Sequence, residues 1–553
     1  MFVRARVYQP RGTIAAHTMP ALRTLLLSSL ALGAIVFWCC GLGGEERAEL
    51  VIGNGPDPMS LDPAQCQSVA DGRLMAALFS GLVTLDPTGG PPQQGMARQW
   101  TVSEHGKRWS FNLRPELRWS DGTALIAPDL VWSYLRFLQP STGARMADLL
   151  DCVVGAADHR RGLAPASAVG ITASSAHEIV FQLREIHPCF LTLLAQFPLF
   201  PVPRHVIERH GSAWTRTENF VSNGSMRLVS RRLRDSIRLE PNPHWLSKTP
   251  NGLQSLEFRC VDNPATLLNL YVAGEVDIAM DVPMAAMPTL LASPHAAPGS
   301  ELRRHTRLGT YFLRLNVRHP SFENAAVRSA LALAVDRVAL TTRLLRGGEA
   351  PAWNFTPPGI HCGTLLHQAP PPQHATLAAA QKLLQTGLAS QGLRELPPFE
   401  LLHTTDPLDA AVSEWLQQRW QEIGVTCRAV ALDARTLRTR MAAGDYAAAR
   451  STWMADYDDA SNFLECFEST SAANRTGWIS PAYDALLREA RTLVGDDAAR
   501  SAKLREAETL LLSAGPIVPL FHHASRTLVK PWVRGFTPNP LEWVNPAALW
   551  VQR

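Results

Sequence analysis

The sequence predicts a mixed α/β protein built from more than one lobe, and three observations carry that expectation. The 553 residues exceed what one hydrophobic core usually organises, and 46% of them are hydrophobic, ample for several cores. Short stretches of strand-period alternation are interspersed with helical spacings along the whole length. No internal repeat divides the chain into copies, so the elements belong to a mixed architecture rather than to a stacked array.

From Leu50 a short apolar strand leads into Asn54, Gly55, Pro56, Asp57 and Pro58, a turn-rich stretch that continues as an extended segment to Asp62. Met75 to Leu85 suits a helix running into a strand, closed by a turn at Asp86, Pro87, Gly89 and Gly90. Trp109, Phe111 and Leu113 alternate with Ser110, Asn112 and Arg114, the period of a half-buried strand. Pro128 fits the first turn of a helix reaching about Leu138, with Leu130, Tyr134 and Phe137 near one face. A strand pair is expected at Met226 to Val229 and Ser236 to Glu240. Val327, Ala330, Leu331, Ala334 and Val335 then recur at helical spacing. Pro351 to Pro372 is rich in proline and glycine and is expected as a surface loop. Helices resume near Ala375 and Ala410, and a strand follows from Val425 to Leu432. Ser480 and Pro481 are the cap and first residue of a helix carrying Tyr483, Leu486, Leu487 and Ala490. Ile517 to Phe521 is expected to be a buried strand.

The net charge of +4 comes from the leader. Residues 1 to 38 hold Arg4, Arg6, Arg11 and Arg23 and no acid, so 53 basic residues less these 4 leave 49 against 49 acids. A neutral body lacks the electrostatic footprint of a nucleic-acid binder. The leader continues with an apolar run from Leu25 to Leu42, the order of an export signal, and Met19 is an alternative start. Cys39 and Cys40 stand where a bacterial lipoprotein places its lipid-bearing cysteine, although Val36, Phe37 and Trp38 before them are bulky. Lipidation, cleavage and retention as a membrane anchor all put the body outside the cytoplasm. Seven cysteines follow, and an odd number leaves at least one thiol unpaired, with one or two disulfides open to an exported chain. No CxxC pair or Cys/His cluster has zinc spacing, so no metal is expected.

In Arg450 to Tyr457, RSTWMADY, an aspartate, Asp456, stands among Trp453, Met454 and Tyr457. A carboxylate drawn away from water needs a cation or several donors, and either Arg450 or an ammonium brought by a ligand could serve. The bland alternative is a structural carboxylate paired with an arginine or capping a turn.

Motifs in order across the chain resemble the oligopeptide-binding receptors of bacterial ABC importers, within the wider dipeptide and oligopeptide receptor family. They are SLDPA at Ser60 to Ala64, LFSGLVTLDPTG at Leu78 to Gly89, WSDGTALIAPDLVWSYLR at Trp119 to Arg136 and FVSNGSMRL at Phe220 to Leu228. NPHW at Asn242 to Trp245, GEVDIAM at Gly274 to Met280, FENAAVRSALALAVDR at Phe322 to Arg337 and LVKPWVRGF at Leu528 to Phe536 complete the series. The resemblance implies a two-lobed clamp with an additional inserted domain that closes by a hinge over its ligand. The implied first lobe takes residues 45–69, 200–308 and 525–553, the additional domain 70–199 and the second lobe 309–524. Implied partners are an oligopeptide ligand and the permease and ATPase subunits of an importer, with a membrane contact through the leader, no nucleic acid and no cofactor.

For the site, the resemblance implies that Asp456 meets the peptide's amino group and that Arg450 is available to its carboxylate or to an acidic side chain. Thr452 to Met454, through Trp453, would pair with the ligand backbone, with Asp57 to Met59 as the corresponding strand of the opposite lobe. Trp132 and Tyr311 fall at aromatic or near-site positions. There are departures. Met226 replaces a family tyrosine, Asp409 a histidine, Gly309 and Met454 a cysteine pair, and the basic residue near Leu345 is displaced to Arg343 and Arg346. Amino-end recognition therefore transfers better than carboxyl-end recognition.

Enzyme chemistry has little support. Asp456, Asp458 and Asp459 are sequence neighbours rather than opposed acids, His522 and His523 follow a core strand, and no hydrolase, phosphate-loop or dinucleotide fingerprint is present. The rival within the binding class is a membrane-attached peptide sensor or chaperone-like receptor not coupled to import.

Overall fold

A computed structural model describes residues 47–86, 91–246, 252–294, 300–363 and 373–553. The leader with Cys39 and Cys40, the glycines of the turn after Asp86 and most of the later part of the Pro351–Pro372 loop lie outside the described residues.

An 11-stranded mixed sheet organises the unit from Glu49 to Arg553. From one edge its strands run Cys427–Leu432, Phe399–Thr404, Ala448–Met454, Leu302–Leu315, Ile517–Val529, Ile278–Ala279, Leu50–Gly55, Leu256–Cys260, Ser236–Pro241 and Met226–Arg232, with Ala350–Pro351 added to Ile517–Val529. The two longest strands, Leu302–Leu315 and Ile517–Val529, pair antiparallel along both halves of the sheet. Leu302 to Thr306 pair with Leu528 to Ala524, and Thr310 to Arg314 pair with His522 to Ile517. Their register shifts between Thr306 and Thr310, a bulge that bends the pair where the halves meet. A separate four-stranded antiparallel sheet holds Ala97–Ser103, Arg108–Leu113, Glu178–Gln182 and Ile171–Ser175.

Each part has its own apolar core. One gathers Trp109, Phe111, Leu130, Tyr134, Phe181 and Phe190 around the four-stranded sheet. A second holds Leu50, Ile52, Leu74, Met75, Ile237 and Phe258. The third and fourth flank the long strands, with Leu313, Val327, Leu331 and Trp420 on one side and Phe312, Phe463, Tyr483 and Leu511 on the other.

Local signals set many of these elements. In Arg108–Leu113 the side chains at 109, 111 and 113 are buried and those between are half-buried. The helix Ala127–Leu138 carries Pro128 in its first turn, and Pro481–Thr492 is capped by the Ser480 side chain accepting from the Tyr483 N–H. The helix expected from Met75 begins earlier, at Val69, because Ser68 and Asp71 form a reciprocal capping box ahead of the apolar residues. That helix packs Leu74, Met75 and Leu78 into the core that also holds Leu50 and Ile52, although the implied boundary at residue 70 assigns it to the additional domain. Ile517 opens a strand of 13 residues rather than five, since Ala524 to Leu528 have their own partners across the bulge.

Candidate functional site

The strand Ala448–Met454 lies against Leu302–Leu315, so that Arg450, Thr452 and Met454 face one way and pair in register with Leu313, Tyr311 and Gly309. Side chains alternate along a strand, which places Phe521 and His523 of the next strand on the same face as Tyr311. Thr452 and Met454 are exposed, and His523 lies beside them with Nε2 2.8 Å from Thr452 Oγ1. A Cβ on Gly309 would meet the Met454 sulfur at 2.2 Å, so the glycine makes room for Met454 to lie across the strand.

Beneath this face lies a charge network. Asp409 is buried and accepts from Arg450 Nε, from the Tyr311 hydroxyl at 2.9 Å and from Thr404. Despite the burial that opposes it, the Arg450 hydrogen bond, followed by that from Thr404, holds the Asp409 carboxyl below its usual range. The Arg450 guanidinium also lies 5.5 Å from the Tyr311 ring centre. Arg450 is thus anchored by Asp409, not by Asp456, and spends only its Nε in doing so. Tyr311 is itself buried, stacked on Phe521 at 4.7 Å, and lies under the face rather than on it.

Past Met454 the chain leaves the sheet and turns through Asp456 to Ala460. Asn462 fixes this turn, its Oδ1 accepting from Trp453 Nε1 at 2.9 Å and from the Asp456 N–H at 3.2 Å. The three neighbouring acids have separate fates. Asp456 is exposed, Asp458 is buried and accepts the His361 N–H at 2.9 Å, and Asp459 is buried in a paired contact with Arg500. Burial pushes the Asp458 carboxyl up to about 6.

Asp456 borders a cavity of about 130 Å³ that it shares with Gln67, Arg73, Gln196, Glu542 and Trp543. A larger cavity of about 560 Å³ shares the wall formed by Leu85 and Trp543. The cations behind the smaller one are already matched. Arg73 is bonded to Asn54 through Nε at 2.7 Å with Asp281 at 3.8 Å, and Arg307 contacts Glu542 at 2.7 Å. Among the described residues no cation pairs with Asp456. Although open to solvent, its carboxylate lies between protein walls, and that shielding, with the Asp148 charge adding to it against a hydrogen bond from Asn462, raises its pKa.

The remaining expected residues are dispersed. Asp57 to Met59 do not form a strand: the strand ends at Gly55, and Pro56 and Pro58 lack the N–H groups a ladder requires. The Asp57 carboxylate is held by Arg231 at 3.0 Å and by the Arg234 N–H, while Met59 is 91% exposed. Trp132 is half-buried against the core of Leu50 and Phe258. Met226 is buried in that core, and Arg343 and Arg346 are exposed. All seven described cysteines are free thiols. Sequence reading missed the neighbours that shape the site, Asn462 beyond the turn and Arg73 and Glu542 around the cavity, which carry no local motif.

The His523 ring is pushed down to about 4, chiefly by burial and then by Arg307, Arg526 and Arg450. A histidine depressed on folding contributes stability that is present above its unfolded value of about 6.5 and is lost as pH falls toward 4. Between pH 7 and 5, His523→Gln is expected to lose less stability than the parent by about 1–2 kcal/mol, read by denaturant unfolding at each pH. Equal losses in the two proteins would show that His523 is not the group responsible.

The model of the bacterial extracellular solute-binding proteins, family 5 (middle), matches residues 91–475. A probable deoxycholate-binding periplasmic protein of Escherichia coli, YgiS, is 34% identical over 90% of this chain and 92% of its own. The periplasmic oligopeptide-binding protein OppA of Escherichia coli is 31% identical over 96% and 97%. Among solved structures, the unliganded open form of the periplasmic murein tripeptide-binding protein MppA gives a TM-score of 0.83 at 30% identity, covering 92% of this chain and 98% of that one. Haemophilus influenzae OppA in complex with RPPGFSPFR gives 0.70 at 28%, covering 92% and 99%. With a family match over most of its length and relatives above 30% identity along nearly all of it, the chain belongs to the family-5 bacterial extracellular solute-binding proteins.

Proposed function

We propose that this chain is an extracytoplasmic receptor that captures oligopeptides in a closing cleft and delivers them to the permease of an ABC importer. The observation that carries the reading is Asp456, an unmatched carboxylate on a cavity walled by distant parts of the chain. A peptide's ammonium group supplies the missing cation. Six residues away, Arg450 retains its two Nη groups for a carboxylate, and the strand between them offers backbone pairing to an extended ligand. At about 3.4 Å per residue the strand runs on the order of 14 Å from Arg450 to Met454 before the chain turns to Asp456, longer than the backbone of a dipeptide. Met59 and Trp132 belong to the opposite wall, and the long strands Leu302–Leu315 and Ile517–Val529 carry the hinge between lobes at 45–69, 200–308 and 525–553, and at 309–524, with 70–199 as the additional domain.

Deoxycholate, the ligand in one relative's name, is an acid with no ammonium group and leaves Asp456 unmatched. The test is native mass spectrometry of the protein as purified from cells, followed by calorimetric titration with a tetrapeptide, a dipeptide and deoxycholate. Co-purified peptides and preference for the tetrapeptide are expected. Exclusive binding of deoxycholate would overturn the reading.

A further inference from the structure

His361, Cys362 and Asp497 come together although 135 residues separate the last two, and each directs one ligand atom into a space where the three lie within 4.8 Å of one another. We propose that these residues form a three-ligand site for a borderline divalent transition metal of the zinc class. The donor set decides the class. A thiolate and an imidazole suit zinc-like ions, whereas calcium or magnesium would find a single carboxylate where they require a shell of oxygens.

The scaffold directs the side chains. Cys362 adopts φ 55°, a left-handed conformation unusual for a residue with a Cβ, and its largely buried thiol lies against the first turn of the helix Asp497–Ala514, 3.9 Å from the Asp497 carbonyl oxygen. His361 Nε2 lies 3.5 Å from Asp497 Oδ2. The backbone of His361 is fixed on both sides: its N–H donates to Asp458 Oδ1 and its carbonyl accepts from the Ala460 N–H, each at 2.9 Å. Metal bonds of about 2.0–2.3 Å require donor atoms roughly 3.3–3.8 Å apart, so the cluster must contract slightly. The exposed Asp497 side chain is free to rotate inward. An ion held there ties the loop at His361 to the helix that carries Arg500, and both to the turn Asp456–Ala460. The half-exposed His361 and exposed Asp497 leave an outward position for water.

Cobalt(II) is the probe, titrated into the purified reduced protein without a histidine tag at pH 7.5. One equivalent per chain is expected, with a thiolate-to-cobalt charge-transfer band in the near ultraviolet that zinc abolishes. Cys362→Ser should remove the band, Cys260→Ser should keep it, and Asp497→Asn, at an exposed position that folding tolerates, should weaken binding about tenfold or more. A missing band in the parent, or a band that persists at full strength in Cys362→Ser and Asp497→Asn, would overturn the assignment.

Discussion

Replacing Asp456 by asparagine is expected to weaken the binding of peptides with a free amino terminus by about tenfold to a hundredfold, while N-acetylated peptides bind parent and variant equally weakly. Asparagine keeps the size of the side chain and leaves the backbone bond to Asn462 in place, so the turn should survive. What is lost is a charge-assisted contact, worth about 1.5–3 kcal/mol. The shielding that raises the Asp456 pKa adds a pH signature. An ammonium group favours the carboxylate, so acid conditions that protonate Asp456 weaken binding in the parent, beginning at a higher pH than an ordinary aspartate would dictate. In Asp456→Asn that acid dependence should vanish. Isothermal titration of one peptide in free and acetylated form, at several pH values, reads both effects. Equal losses for the two forms would remove Asp456 from the role.

Much of this arrangement was legible in the sequence wherever the governing interaction is local. The alternation at Trp109, Phe111 and Leu113, the proline of the helix at Ala127 and the Ser480 cap all act within one or two turns of chain. Where the partner is distant, the sequence is silent. The carboxylate that holds Arg450 lies 41 residues away, and the arginine that holds Asp459 also lies 41 residues away, so neither pairing leaves a spacing to detect. RSTWMADYDD displays three acids within four residues, yet long-range partners decide that Asp456 faces solvent while Asp458 and Asp459 are buried. The extended stretch after Gly55 illustrates the converse error: family pattern suggested a strand at Asp57 to Met59, whereas Pro56 and Pro58 locally forbid the ladder.

Arg500→Met is expected to destabilise the protein by about 3–5 kcal/mol, the cost of leaving a buried charge without its partner. Arg500 and Asp459 are 3% and 1% exposed and meet through two bonds, Nη1 to Oδ2 at 2.6 Å and Nη2 to Oδ1 at 2.7 Å. Burial alone would raise the Asp459 carboxyl, and the Arg500 contact overcomes it and holds the carboxyl below its usual value. A depressed carboxyl contributes stability above its unfolded value of about 3.9 and loses it as pH falls through the folded value. Without Arg500 the same carboxyl, still buried, should rise and become stable only when protonated. The gap between parent and variant should therefore narrow as pH is lowered from 7 toward 4, and adding Asp459→Asn to Arg500→Met should recover part of the loss at neutral pH. Denaturant unfolding of the parent, the single variant and the double variant checks this, and a gap that is constant with pH would mean lost packing rather than lost charge. The location gives the pair a second consequence. Arg500 also donates to the Cys189 sulfur at 3.4 Å, and Asp459 accepts the Ser461 N–H at 2.8 Å, so the pair clamps the turn that begins at Asp456 against a helix and a segment near residue 189. Amide exchange in residues 456–461 should accelerate in Arg500→Met more than in the four-stranded sheet, because the anchor turn has few bonds to the sheet and depends on this buried charge for its rigidity.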